Sequence, residues 1–334
     1  MHGDEAVEAL LEKAAPRPAP PSGDEKIVRD AVHAEWQAVT RKVKARQRLS
    51  YFAIAATVVL GVAVALNALQ VSNTPAVQIA TISKSHGSIY LLGEQSELRE
   101  MTDLALIYAG QIIETGDDAG IGLEWGNGGS LRVDENTRIE FTSADTVYLR
   151  SGQIYFDSQH SSEMVAAITG SGLEIETEHG SVTHLGTQYM TAVDARNITV
   201  SVREGEVVVD GAYISKAVAY AGQQLTISGG AKPSVLDIDG FGESWDWIEA
   251  TAPNVHMDGK SVFEFLQRIG RETGLEVKFE SSAAEAKAHA GTQYGMFDMS
   301  PREELALRMS GEDLKYRIDG GTIYVSAIDS GSRQ

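Results

Sequence analysis

From Leu49 to Leu69 the chain reads LSYFAIAATVVLGVAVALNAL, twenty-one residues without one charged side chain. As a helix rising ~1.5 Å per residue, such a run reaches ~30 Å, the thickness of a bilayer's hydrocarbon core. A secretory signal competes with this reading, but its apolar stretch is usually only about 7–15 residues, and 48 residues precede the run here. The flanks are lopsided. Arg41, Lys42, Lys44, Arg46 and Arg48 crowd one side, whereas no charge follows the run before Lys84. The positive-inside rule therefore predicts residues 1–48 on the cytoplasmic side and everything after about Val71 on the other.

Charge sharpens the division. The chain carries 28 Lys and Arg against 47 Asp and Glu, a formal net charge of -19. Residues 1–50 hold nine basic and eight acidic side chains, so nearly all the acidity lies beyond the apolar run. An acidic exterior repels nucleic-acid phosphate and suits a soluble body kept off anionic lipid. The absence of cysteine excludes disulfides, thiol catalysis and cysteine-based metal centres.

Residues 1–48 form two helical pieces around the break Pro16-Arg17-Pro18-Ala19-Pro20-Pro21, which stays extended. The second piece sets Val28, Val32, Trp36, Val39 and Val43 on one face, at spacings of four, four, three and four. So few large apolar side chains build no core, and the stripe needs a partner: another protein, the bilayer surface or a second copy. Trp36 is its natural anchor.

Beyond a short linker, strand-like runs follow one another between glycines: IYLLG, QIIETG, IGLEW, SLRVD, RIEF, TVYLR and GQIYFDS, then LEIETEHG, SVTHLGTQYMTAV, ITVSVREGEVVVDG and QQLTIS. Gly126-Asn127-Gly128-Gly129 reads as a hairpin turn, since the Gly-Lys-Ser/Thr of a phosphate loop is absent. Glu174, Glu176 and Glu178 alternate with Leu173, Ile175 and Thr177, which makes them a solvated strand face and not a glycosidase pair. From about Pro253 the pattern turns to mixed α and β: a strand at VHMDG, a helix over Ser261 to Thr273 with Val262, Phe263, Leu266 and Ile269 inward, the strand LEVKFE, a loop, a strand at Gly295 to Asp298, a helix from Ser300, and a hairpin turned by Asp319-Gly320-Gly321.

The segments GQIYFDS, HGSVTHLGTQYMTAV, ITVSVREGEVVV and YAGQQLTI, in that order after a membrane anchor, resemble the FecR-like family of transmembrane anti-sigma regulators. The resemblance implies a single-pass inner-membrane protein whose cytoplasmic tail holds an extracytoplasmic-function sigma factor, here through Val28, Val32, Trp36, Val39 and Val43. It further implies a periplasmic part that hears the signalling domain of a TonB-dependent outer-membrane transporter, with no direct nucleic-acid contact and no cofactor. The halves SVFEFLQRIGRETGLEVKF and SPREELALRMSGEDLKYRI resemble an STN-type signalling domain. A membrane-anchored periplasmic scaffold without a sigma contact is the rival reading, and a tethered hydrolase a third.

The expected fold class is thus a short α-helical cytoplasmic tail (1–48), one transmembrane helix (49–70), a linker (71–83), an all-β extracytoplasmic domain, solenoid- or sandwich-like (84–228), a linker (229–252) and a small α+β STN-like domain with two β-α-β halves (253–328). No enzyme motif or metal-ligand spacing stands out: Asp237-Ile238-Asp239-Gly240 lacks the remaining calcium ligands, and His179 and His184 lack a third partner. One bond is an exception. Some FecR-like proteins are reported to cut themselves at a Gly-Thr bond matching Gly186-Thr187 by an N-to-O acyl shift, which would make Thr187 a nucleophile toward Gly186. His184 could reorient the proton, although two residues along a strand it is expected to share the face of Gly186 and miss Thr187, and the rival reading of Gly186-Thr187 is an ordinary strand bend.

Overall fold

The computed structural model of the chain describes residues 26–27, 29–31, 77–92, 98–100, 106–158, 172–211 and 216–328. The chain divides into two units, Met1–Pro75 and Ala76–Gln334. In the first, Lys26, Ile27, Arg29, Asp30 and Ala31 are helical. The stripe residues Val28, Val32, Trp36, Val39 and Val43 lie outside the described residues, as does the apolar run 49–69.

The second unit begins with β1 (Gln78–His86), β2 (Ile89–Leu92), β3 (Leu98–Glu100), β4 (Leu106–Tyr108), β5 (Gln111–Thr115), β6 (Gly120–Trp125), β7 (Ser130–Val133) and β8 (Arg138–Phe141). It continues with β9 (Thr146–Asp157), β10 (Glu174–Thr177), β11 (Gly180–Val193), β12 (Asn197–Gly211), β13 (Ala217–Tyr220), β14 (Gln223–Ser228) and β15 (Ser234–Asp237). All belong to one hydrogen-bonded sheet, in which β9–β10 is parallel and the other described pairings are antiparallel.

Three long strands fold that sheet into two layers. The first half of β9 pairs with β8 and β10, whereas its second half pairs with β7 and β11. In β11, Gly180–Leu185 runs beside the end of β12, and Gln188–Val193 lies between β9 and the start of β12. β12 likewise pairs first with β14 and then with β13. One layer therefore reads β3-β2-β5-β8-β9-β10-β11-β12-β13, and the other β4-β1-β6-β7-β9-β11-β12-β14-β15. The crossings fall at glycines with positive φ: Gly152 in β9, Gly186 in β11 and Gly205 in β12.

The space between the layers holds the main core. Ile113, Phe141, Leu149 and Val182 reach in from the first layer, and Leu123, Leu131, Ile154, Tyr189, Val200 and Leu225 from the second. Removing such side chains from water is worth roughly 1.5–3 kcal/mol each, which makes the alternation of the strands decisive for the fold. The outer face of the second layer is apolar where Tyr155 and Met190 emerge, and α1 (Glu243–Ala250) covers it with Trp245 and Ile248.

The chain closes with α2 (Val262–Thr273), β16 (Glu276–Phe279), α3 (Ser282–Ala290), α4 (Pro301–Met309), β17 (Leu314–Asp319) and β18 (Thr322–Ala327). The three strands lie in the order β16-β18-β17, parallel then antiparallel. Both α2 and α4 start with a complete capping box, Ser261 with Glu264 and Ser300 with Glu303. On α2, Val262, Phe265, Leu266 and Ile269 are fully buried, whereas Phe263 stays half-buried and stacks on Phe279 and His289.

The described chain corrects the expected fold class. It is mostly β-sheet, and its helices α1 to α4 are short, the longest having 12 residues. Twelve residues reach only ~18 Å, so no helix among the described residues is long and apolar enough to cross a membrane. Where two modest domains were expected after the membrane segment, the described residues form one large two-layer sheet with a small α/β cap, and the helix expected over 49–70 lies outside them. The two β-α-β halves are also corrected. Residues 252–256 and 293–298 carry no strand; Ser261 and Thr292 form only an isolated bridge. Where a loop was expected, α3 forms: Ser281 caps it, and Ala284 and Ala288, four apart, are fully buried. A face made of two alanines has too little apolar contrast to register as helical periodicity.

Candidate functional site

The crossing of β11 from one layer to the other places Gly186-Thr187 in a double bulge. Leu185 pairs with Glu206 and Gln188 with Glu204, so Gly186 and Thr187 together oppose Gly205 alone. Gly186 holds φ at 57° and Gly205 at 80°, conformations that cost most residues ~1–2 kcal/mol. A Cβ on Gly205 would sit 2.5 Å from both the Gly186 carbonyl oxygen and the Thr187 methyl, so only glycine fits beside this bond.

The extra residue also shifts the side-chain alternation by one. Val182 and His184 face the core before the bulge; after it, Thr187, Tyr189, Thr191 and Val193 do, while Gln188 and Met190 face outward. The expectation that His184 shares a face with Gly186 and misses Thr187 is thus corrected. Leu185, by contrast, is left 79% exposed just before the bond.

Thr187 is completely buried, and its backbone is held by one residue. Its N–H donates to Ser158 Oγ at 2.7 Å, while Ser158 Oγ and Ser158 N–H both donate to its carbonyl at 3.0 Å. The Thr187 hydroxyl oxygen has no hydrogen-bond partner. An unsatisfied buried hydroxyl costs about 1–3 kcal/mol; the Tyr189 and Thr191 hydroxyls of the same strand are likewise unpartnered, and what sets Thr187 apart is the positive-φ glycine before it. Glycine beside threonine was visible in the sequence. Ser158 was not, because it lies twenty-nine positions away and reaches Thr187 only through strand pairing.

His184 completes the pocket. Its ring packs against Phe156 and Tyr189 at 5.1 and 5.3 Å between centroids. Leu173 N–H donates to its Nε2 at 3.1 Å, which leaves the ring proton on Nδ1, and Nδ1 has no partner. Burial depresses its pKa to about 4 and keeps it neutral at neutral pH. The unfolded chain takes up this proton near pH 6.5 and the folded chain only near 4, so this group's contribution is full above about 6.5 and is lost as pH falls toward 4. His184→Phe is therefore expected to shrink the stability lost between about pH 7 and about pH 4.5 by about 2 kcal/mol. Urea unfolding of both chains at the two pH values measures it. His179, the other histidine of the segment, bonds instead to the Asp194 carbonyl at 2.9 Å.

The cap meets this region through the end of α2. A helix leaves its last carbonyls unsatisfied, and here side chains of the β domain reach them: Gln188 Nε2 donates to Arg271 O at 3.3 Å and Arg203 Nη1 to Glu272 O at 3.2 Å. Arg271 grips Asp157 with two bonds, Nη2 to Oδ1 at 2.6 Å and Nε to Oδ2 at 3.1 Å, and Glu204 with a third at 2.5 Å. Next to it the wholly buried Arg132 donates to Glu272 at 2.6 Å and to the Ile248 carbonyl at 3.1 Å, under the Tyr155 ring. The helix comes so close that a Cβ on Gly274, its C-cap, would lie 1.9 Å from Gly240 O. Beside the seam opens a cleft of about 610 Å³, lined by Trp125, Asp157, Phe263, Arg268 and Glu272 among others.

Residues 111–208, which enclose the bulge, match the family model described as FecR protein. No curated protein matches the sequence. Two crystal structures of a candidate anti-sigma factor from Parabacteroides distasonis ATCC 8503, at 2.50 and 1.65 Å resolution, align with the chain at 16% identity. They cover 65% and 64% of this chain and 99% and 97% of theirs, each with a TM-score of 0.34.

Proposed function

We propose that the chain is a FecR-like anti-sigma regulator that cuts itself at Gly186-Thr187. The observation that supports this best is the FecR match over residues 111–208, with a buried, unpartnered threonine hydroxyl at the bulge inside it. Thr187 Oγ attacks the Gly186 carbonyl carbon. Its proton passes to the Thr187 nitrogen, the C–N bond breaks, and an ester joins Gly186 to the Thr187 side chain. Water then attacks the ester, leaving a carboxyl on Gly186 and restoring the Thr187 hydroxyl beside a new amine. Ser158 Oγ, 2.7 Å from the Thr187 nitrogen, stands next to the atom that must gain the proton. With Nε2 occupied by Leu173 N–H, His184 is not available as a base.

The regulatory half of the reading rests on sequence. The tail 1–48 holds an extracytoplasmic-function sigma factor by the stripe Val28, Val32, Trp36, Val39 and Val43, and the uncharged run 49–69 with its basic flank sets the protein in the inner membrane with the tail inside. The unit 76–334 then faces the periplasm and receives a signal from the signalling domain of a TonB-dependent transporter, in which role the cap 253–328 acts as an STN-like module. Crosslinking in native cells, with the full-length chain beside one lacking residues 1–43, tests this. A sigma factor captured only by the full-length chain is the expected result; envelope proteins recovered equally by both, with no sigma factor, would replace the reading with that of an anchored scaffold.

A further inference from the structure

The side chain of Arg271 and its carbonyl touch three residues of the β domain, and each of the three is the chain neighbour of a residue that holds the Gly186-Thr187 bond. Asp157, gripped through both carboxylate oxygens, precedes Ser158, which takes all three backbone hydrogen bonds of Thr187. Gln188, which donates to Arg271 O at 3.3 Å and to Asp157 Oδ2 at 2.9 Å, follows Thr187 directly. Glu204, which accepts from Nη1 at 2.5 Å, precedes Gly205, the residue pressed against the Gly186 carbonyl. The β9, β11 and β12 walls of the bulge thus meet at one guanidinium and one helix-end carbonyl, both supplied by α2 of the cap.

We propose that Arg271 is a positioning residue for the Gly186-Thr187 bond, so that its contact with Asp157, Glu204 and Gln188 holds the bond in its reactive bulge and loss of that contact slows the cut. Two features make this more than a general contribution to stability. The Asp157 carboxylate is nearly buried, 4% exposed, and its fork with Arg271 fixes direction as well as distance. A displacement of about 1 Å in a reacting pair costs on the order of 100-fold in rate, so a small rotation of Ser158 or Gln188 is enough to silence the hydroxyl. The cap is also the part of the unit with its own separate core, and so can shift as a body without dissolving the β layers.

The catalytic consequence rests on the self-cleavage reading above; the mechanical one does not. Two measurements on the full-length chain separate them. In the first, cutting is followed by denaturing gel and intact mass in the parent, in Arg271→Gln and in Arg302→Gln. Arg302 ties the same cap to α1 through Glu249 at 2.7 Å, but touches nothing beside the bond. We expect Arg271→Gln to slow the cut about 10- to 100-fold and Arg302→Gln to leave it unchanged. In the second, amide hydrogen exchange at residues 186–188 is compared between Thr187→Ala and Thr187→Ala with Arg271→Gln, chains in which no cut can occur. Loss of protection there, with the β14 amides unaffected, is the expected result. A parent that is never cut sinks the self-cleavage reading and leaves the positioning to be decided by exchange. Equal cutting in all three chains, or unchanged exchange at 186–188, overturns the role given to Arg271.

Discussion

Thr187→Ala is expected to leave the chain in one piece, whereas the parent separates on a denaturing gel into fragments 1–186 and 187–334. The two parent fragments should together weigh one water more than the intact chain, since hydrolysis of the ester adds one. Thr187→Ser keeps the hydroxyl and should still be cut; Thr187→Val, equal in shape and without the oxygen, should not. Gly186→Ala tests conformation alone, because a Cβ there has nothing within 4 Å but would have to adopt φ near 57°. Under native conditions the parent fragments are expected to stay together. Gly180–Leu185 and Gln188–Val193 lie on opposite sides of the cut, yet both are paired with β12, and the first also with β10, the second also with β9. A parent that remains a single uncut species over days would remove the proposal, whatever the variants do.

Glu272→Ala is expected to be the most destabilising single change at the seam between the β domain and the cap. The Arg132 guanidinium is wholly buried, and Glu272, itself nearly buried, accepts from it at 2.6 Å. Bringing both ions out of water is expensive, so the pair need not outperform an apolar pair of the same volume. Removing one member is another matter, because the remaining charge loses its direct ion pair and keeps the Ile248 carbonyl, the Tyr155 ring and the field of Asp157. The expected cost is about 3–5 kcal/mol, which for a unit of this size lowers the melting temperature on the order of 10 °C. Arg132→Met combined with Glu272→Leu should recover much of that loss. Calorimetry on the single and double variants measures both, and a single-variant loss below about 1 kcal/mol would mean that the pair is not sealed from water as described.

Cutting and stability therefore meet at α2, where Glu272 and Arg271 are adjacent in sequence and do different work. Glu272 neutralises a buried charge of β7, and its loss should be read out in unfolding. Arg271 joins the end of β9 at Asp157 to Gln188 within β11 and Glu204 within β12, and under the proposed role its loss should be read out in the rate of the cut.

The strands, though not their order in the sheet, could be read from alternation. Ile121, Leu123 and Trp125 are buried as the period of two requires, and so are Leu173, Ile175 and Thr177 opposite their glutamates. The helices of the cap that begin with a serine capping box were likewise visible, because capping chemistry is local in sequence. Helix α3 was not, since alanines carry helix propensity without apolar contrast. Gly186-Thr187 stood out by residue type, but its geometry depends on Gly205 and Ser158, which only strand pairing brings to it. A bulge reverses the facing of every residue after it, and no local pattern reports that reversal. The same holds for the arginines of the seam: Arg132, Arg203 and Arg271 look in sequence like ordinary surface charges. Local periodicity and capping thus determined most strands of the sheet and the helices α2 and α4, but not α1, α3 or β15. The reach of one layer across another decided that Ser158 meets Thr187, that Arg271 meets Asp157 and that Arg132 meets Glu272, because those contacts join residues that lie tens to more than a hundred positions apart.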